Sequence, residues 1–140
     1  MASNSRRRAR IVALRALYQW DVVNATPEEA LEDSTENTKL GEEGKSFAKE
    51  IVYGVIENIK DIDNKISLFA EGYALDRLAT IDRALLRIAV FELLFSKLLS
   101  PAIVINEAVE LAKRYSTEKS GAFVNGILGK MTKQLIGEHQ

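Results

Sequence analysis

Five arginines and no acidic residue occupy the first twenty positions: Arg6, Arg7, Arg8, Arg10 and Arg15. A guanidinium group is planar, matches phosphate oxygens two at a time and stacks on unpaired bases, so such a tract suits single-stranded RNA better than lysines would. The segment that follows has the opposite sign, with nine acids against three lysines over residues 21–50. The net charge of −1 therefore conceals one basic end that can attract an anionic partner. Helix stability does not account for the tract, because exposed cations at a helix N-terminus oppose the macrodipole by roughly 0.3–1 kcal/mol each. Taken alone, the tract could equally be a solvated basic terminus with no partner.

The remaining residues give little support for catalysis. Gly44-Lys45-Ser46 resembles the end of a phosphate-binding loop, but Lys39 stands where the first glycine of that pattern would fall, and Glu42 and Glu43 would repel phosphates. His139, the only histidine, is the penultimate residue. The helix-spaced carboxylates Glu28 and Glu32, or Glu107 and Glu110, have no histidine beside them to complete a di-metal site. There is no cysteine, which removes disulfides, thiolate metal sites and thiol nucleophiles and agrees with a reducing, cytoplasmic setting. Neither an enzyme nor a cofactor or metal site is expected, and a binding function is left.

The elements that must position these residues read as helices throughout. Apolar residues make up 46% of the 140 and charged ones 28%, enough to bury a core in one domain. The most apolar stretch is residues 80–95, where Ile81, Leu85, Leu86, Ile88, Val90, Leu93, Leu94 and Phe95 spread around most of a helical wheel. Asp82, Arg83, Arg87 and Glu92 interrupt it, and it is too short to cross a bilayer, so it reads as the central helix of a bundle with Thr80 as its N-cap. A first helix over residues 5–23 carries Ile11, Leu14, Leu17, Tyr18 and Val22. Arg6, Arg7 and Arg10 share the arc of Ile11, Leu14 and Leu17, so that arc cannot be core along its whole length. Either the helix overhangs the bundle, or residues 1–8 form a mobile arm.

Thr26-Pro27-Glu28-Glu29 opens a short helix over residues 27–33, and the polar stretch 34–44 reads as a loop. A third helix is predicted over 45–58 on Phe47, Ile51, Val52 and Val55, and a fourth, capped by Asp61 or Asp63 and ended by Gly72, on Ile62, Ile66 and Phe69. Ser100-Pro101 breaks the pattern before a helix over 103–115, and Thr117-Glu118 caps the last, with Phe123, Val124, Ile127, Leu128, Met131 and Leu135 as its stripe. With no alternating strand pattern, the expected fold is all-α, about seven helices in two small bundles sharing a core, 1–72 and 73–140 of a single domain.

Several of these stretches together resemble the NusB family of bacterial transcription antitermination factors. RRRAR followed by ALRALYQWD, then IDRALLRIAVFEL, then INEAVELAKRYSTEKSGAFVNGILGKM are similar to the family's hallmarks in the same order and spacing. The resemblance spans nearly the whole chain, with residues 24–75 the least distinctive. It implies an all-helical RNA-binding protein that recognises boxA-type single-stranded RNA in ribosomal RNA leaders. It further implies joint action with NusE, a small-subunit ribosomal protein, within an elongation complex of RNA polymerase and other Nus factors. Carried onto this sequence, the RNA-binding residues are Arg6, Arg7, Arg8 and Arg10, with Arg15 as a helper, and Lys119, Phe123 and Asn125 in a C-terminal element. Lys119 stands where many members carry an acid. Tyr18, Asp82 and Glu92 match positions near the NusE contact.

Each position has a plainer reading beside the functional one: Phe123 as core, Asn125 as a loop hydrogen-bonder, Tyr18 as a core tyrosine with a wet hydroxyl. Two rival functions also follow. One is a non-catalytic helical adaptor whose basic end docks on an acidic protein. The other is a guide module related to the RNA-binding domain of ribosomal RNA methyltransferases, without room for the catalytic domain. Self-association is a further expectation of the resemblance, since the covered face of a homodimer would read as core.

Overall fold

The computed structural model describes residues 3–137, and His139 lies outside them. Among the described residues there are seven α-helices and no strand: α1 Ser3–Tyr18, α2 Pro27–Glu36, α3 Glu42–Glu57, α4 Ile59–Phe69, α5 Thr80–Val90, α6 Pro101–Tyr115 and α7 Glu118–Met131. None is long and apolar enough to cross a membrane. The chain divides into two compact units, Met1–Glu57 and Asn58–Gln140. The division falls between α3 and α4 and not near residue 72, so α4 groups with the second unit.

In the first unit α1 packs against α2 and α3. Ala9, Val12, Ala13 and Ala16 are fully buried beside Leu14 and Leu17, and these small side chains let the neighbouring helices approach closely. Arg10 is buried on the same surface. The arc that the arginines share with Ile11, Leu14 and Leu17 is thus core as far back as residue 10, while Arg6 and Arg7 on it are only half-buried, so it is not core along its whole length. The tract is also helical from Ser3, so over the described residues it is not an arm.

Beyond Tyr18 the helix widens into a π-helical turn, Gln19–Val23, closed by Asn24 at φ 63. The wider turn breaks the 3.6-residue register. Val22, which continues the apolar stripe in sequence, consequently faces solvent, and Tyr18 at the end of α1 is exposed as well. Similar turns, Phe91–Ser96 and Thr132–Ile136, end α5 and α7. The last of them leaves Leu135 exposed and off the stripe predicted for it.

The start of α2 follows its sequence signal. Thr26 Oγ1 accepts from Glu29 N at 3.1 Å and Glu29 Oε1 accepts from Thr26 N at 3.0 Å, a complete capping box with Pro27 in the first turn. Helix α2 runs one turn past residue 33 because Ser34 is buried, and α3 starts one turn before residue 45. Gly44-Lys45-Ser46 therefore lies within a helix and forms no phosphate loop.

In the second unit α5 packs against α4, α6 and α7, which accounts for its nearly all-round apolar surface. Thr80 is its first residue and makes no cap; Ala79 holds that place without a side-chain hydrogen bond. Asp61 and Asp63 do not cap α4 either, because it begins at Ile59. They are ion-pair partners instead: Asp61 with Lys65 at 2.8 Å, and Asp63 with Arg87 of α5 through hydrogen bonds of 2.9 and 3.0 Å. Ser100 caps α6 and Pro101 starts it, so that proline initiates where the sequence reading had it only interrupt. Gly121 sits where α7 crosses α6; a Cβ there would lie 2.8 Å from Lys113 Cγ.

Candidate nucleic-acid interface

The fold separates the arginines of α1 into different environments. Arg8 is exposed, and Arg6 and Arg7 are half-buried. Arg8 borders a shallow groove of about 650 Å³ whose lining includes Thr38, Lys39 and Lys45. Arg15, two turns on along the same face, is exposed and donates to Thr38 Oγ1 at 3.3 Å. Arg10 is only 3% exposed, and its guanidinium lies 5.3 Å from the centroid of the Phe47 ring on α3. A desolvated cation over an aromatic face is a favourable pairing. This corrects the sequence expectation for Arg10: its side chain joins α1 to α3 and is not presented to an outside phosphate.

In the second unit, residues predicted for two different partners surround one pocket. Asp82, Lys119 and Phe123 line a cavity of about 290 Å³ together with Tyr73, Arg77, Leu78, Ala79 and Ser120. Phe123 is not core. It is partly exposed and meets the exposed Tyr73 edge-on, with centroids 5.0 Å apart and rings inclined at 69°. Lys119 is exposed at the start of α7, and Asn125 is exposed further along the same helix, outside the pocket lining.

The N-terminus of α7 fixes the pocket. Thr117 Oγ1 accepts from Ser120 N at 3.0 Å, and the Ser120 hydroxyl donates to Asp82 Oδ2 at 2.9 Å, tying the first turn of α7 to the first turn of α5. The opposite wall comes from the link between α4 and α5. Arg83 donates to the carbonyls of Leu75 and Leu78 at 3.1 and 3.3 Å, which holds the short 3-10 turn Leu75–Arg77 against α5. Gly72, at φ +79, makes the turn that brings Tyr73 in. Tyr73 and Arg77 were missed in the sequence because they stand in an irregular link with no periodicity. An exposed aromatic and an arginine flanking a glycine turn were the available signal.

Of the residues predicted to meet a protein partner, Tyr18 is at the surface, 38% exposed. Asp82 and Glu92 are buried, at 6% and 4%. Glu92 lies in the π-helical turn after α5, enclosed by the fold, which removes it as a surface contact.

A family model described as the NusB family matches residues 7–133. This chain belongs to the NusB family. Among similar curated proteins, the transcription antitermination protein NusB of Acetivibrio thermocellus is 39% identical over 91% of this chain and 88% of its own length. That of Bacillus velezensis is 42% identical over 90% and 94% respectively. Among solved structures, a complex of the antitermination factors NusB and NusE with double-stranded RNA contains a chain 34% identical with a TM-score of 0.86, covering 94% of this chain and 98% of that one. NusB of T. maritima gives 39% identity and a TM-score of 0.84 over 92% and 91%.

Proposed function

We propose that this NusB-family protein is a cytoplasmic transcription antitermination factor that binds boxA-type single-stranded RNA together with NusE, within an elongation complex containing RNA polymerase. The observation that carries this reading is the basic face of α1, where Arg6, Arg7 and Arg8 reach solvent on a segment without a single acid before residue 21. A solved complex of a 34% identical relative with NusE and RNA supports both partners. Lys119, Phe123 and Asn125 supply a second set of contacts, with one cation, one partly exposed ring and one exposed amide. Tyr18 is the candidate NusE contact that the surface leaves available.

The energetics favour joint binding. Three phosphate contacts to single-stranded RNA give a salt slope near −0.7 × 3, about −2, so affinity falls roughly 20-fold between 50 and 200 mM salt. Arginines alone would hold RNA weakly at cellular salt. A partner that touches both protein and RNA strengthens the complex through effective concentration, and base stacking adds roughly 1–3 kcal/mol per base.

Fluorescence titration of boxA RNA and of a scrambled RNA, each with and without NusE, tests the proposal. Tighter binding to boxA, strengthened by NusE and weakened when Arg6, Arg7 and Arg8 become alanine, is expected. Equal and feeble binding to both RNAs in every case overturns it. Loss of NusE pairing with RNA affinity intact in the arginine variant would instead favour a protein-docking adaptor.

A further inference from the structure

The groove beside Arg8 carries positive charge from outside the arginine tract. Arg8, the end of α2, the link over residues 37–41 and the first turn of α3 line it, and Lys39 and Lys45 are both exposed on it. Arg15 follows Arg8 by seven residues, which puts it about 10.5 Å further along the same face of α1. Its hydrogen bond to Thr38, a lining residue, holds it at the groove's edge. The Thr38 hydroxyl gives its own proton to the Ser34 carbonyl at 3.3 Å, which leaves its oxygen as the acceptor for that guanidinium. One acid, Glu36, shares the lining. Glu42 and Glu43, which argue against a phosphate loop, stand in the first turn of α3 outside the lining. Glu42 lies 3.8 Å from Lys45 Nζ, an exposed contact weak enough to give way to a phosphate.

We propose that this groove is a phosphate track: Arg15, Lys39 and Lys45 carry the RNA backbone on from Arg8 across the α2–α3 link, beyond the nucleotides that the arginine tract itself meets. The inference rests on the RNA-binding reading above and adds to it the path of one flank of the RNA. A stacked strand rises about 3.4 Å per nucleotide, so the span from Arg8 to Arg15 matches about three nucleotides. Among the described residues no aromatic ring lines the groove, and Leu40 is its one large apolar side chain. Nothing there stacks on a base, whereas lysine ammonium groups on flexible stems meet phosphates of any sequence. The track therefore adds affinity that depends on RNA length and salt, and leaves base selection to the other contacts. Because the groove lies to one side of the tract, only one end of a bound RNA reaches it.

Titration of the whole protein with boxA RNA, bare or carrying a hexauridine tail at its 5′ or its 3′ end, tests this between 50 and 200 mM salt. For the wild type, a tail at one end and not the other tightens binding at 50 mM. Three added phosphate contacts steepen the salt slope of that tailed RNA by about 0.7 × 3, near 2, so the gain shrinks roughly 20-fold by 200 mM. A hexacytidine tail gives the same gain, as backbone contacts require. Lys39→Ala with Lys45→Ala changes two exposed side chains, and in that protein the slope for tailed RNA falls back by about 1.4 while bare boxA RNA binds within about twofold of wild type. A tail without effect at either end overturns the track, as does a gain that the double variant keeps. Loss of NusE pairing in the double variant, with the tail's gain intact, assigns the groove to a protein and overturns it too. Failure of bare boxA RNA to bind overturns the RNA-binding reading itself, whereas boxA RNA that binds regardless of its tail overturns the track alone.

Discussion

Replacing Arg10 by methionine distinguishes a core cation from a phosphate contact within a single arginine tract. Arg10 is 3% exposed with its guanidinium 5.3 Å from the Phe47 ring centroid, so the substitution removes a desolvated cation–π pairing of about 2 kcal/mol. Methionine retains length and flexibility, and volume-conserving changes of this kind cost under about 1.5 kcal/mol in packing. The expected loss of folding stability is therefore about 2–3 kcal/mol, read by urea denaturation with an unchanged m-value. The dependence of RNA affinity on salt should not change. Arg8→Ala should do the opposite. Arg8 is exposed, so stability stays within about 0.5 kcal/mol, while the loss of one phosphate contact makes the salt slope shallower by about 0.7. Between 50 and 200 mM salt that difference amounts to roughly 2.6-fold in relative affinity, within reach of a titration series. An Arg10→Met protein of unchanged stability whose salt slope falls by the same amount would refute the assignment.

Two other contacts give sharp expectations. Arg87 is 7% exposed and forked onto Asp63, so Arg87→Ala leaves a carboxylate without its cation and should cost about 3–5 kcal/mol in denaturant unfolding, whereas a paired Arg87→Met, Asp63→Leu protein should recover most of that. The Tyr53 hydroxyl donates to Glu28 at 2.6 Å; this bond first, with a backbone hydrogen bond, holds the Glu28 carboxyl below its ordinary value, and the same bond raises the Tyr53 phenol above its own. The contact therefore stabilises above the usual glutamate range and weakens as pH falls through the lowered Glu28 value, and at the alkaline end it is lost as pH rises through the raised Tyr53 value. In Tyr53→Phe the Glu28 midpoint should move up in a carbon-detected NMR titration; an unmoved midpoint would show that the hydroxyl does not set it.

Local signals in the chain determined the helices and several of their ends. The Thr26–Glu29 capping box, Thr117 ahead of α7 and the apolar surround of residues 80–95 act within a few residues, so propensity and periodicity suffice to read them. The basic bias of α1 was equally legible, because charge needs no partner to be counted. Tertiary contact decided what each charge does. Phe47 turns Arg10 into core, and Arg87 recruits Asp63 from a predicted cap. Ser120, thirty-eight residues from Asp82, draws that carboxylate into the pocket of Phe123 and Lys119. Tyr73 joins the same pocket only because Gly72 turns the chain there. A wheel drawn on one helix shows which side is apolar, but not which ring or hydroxyl of another helix waits opposite a charged residue, and burial energy depends on that second partner.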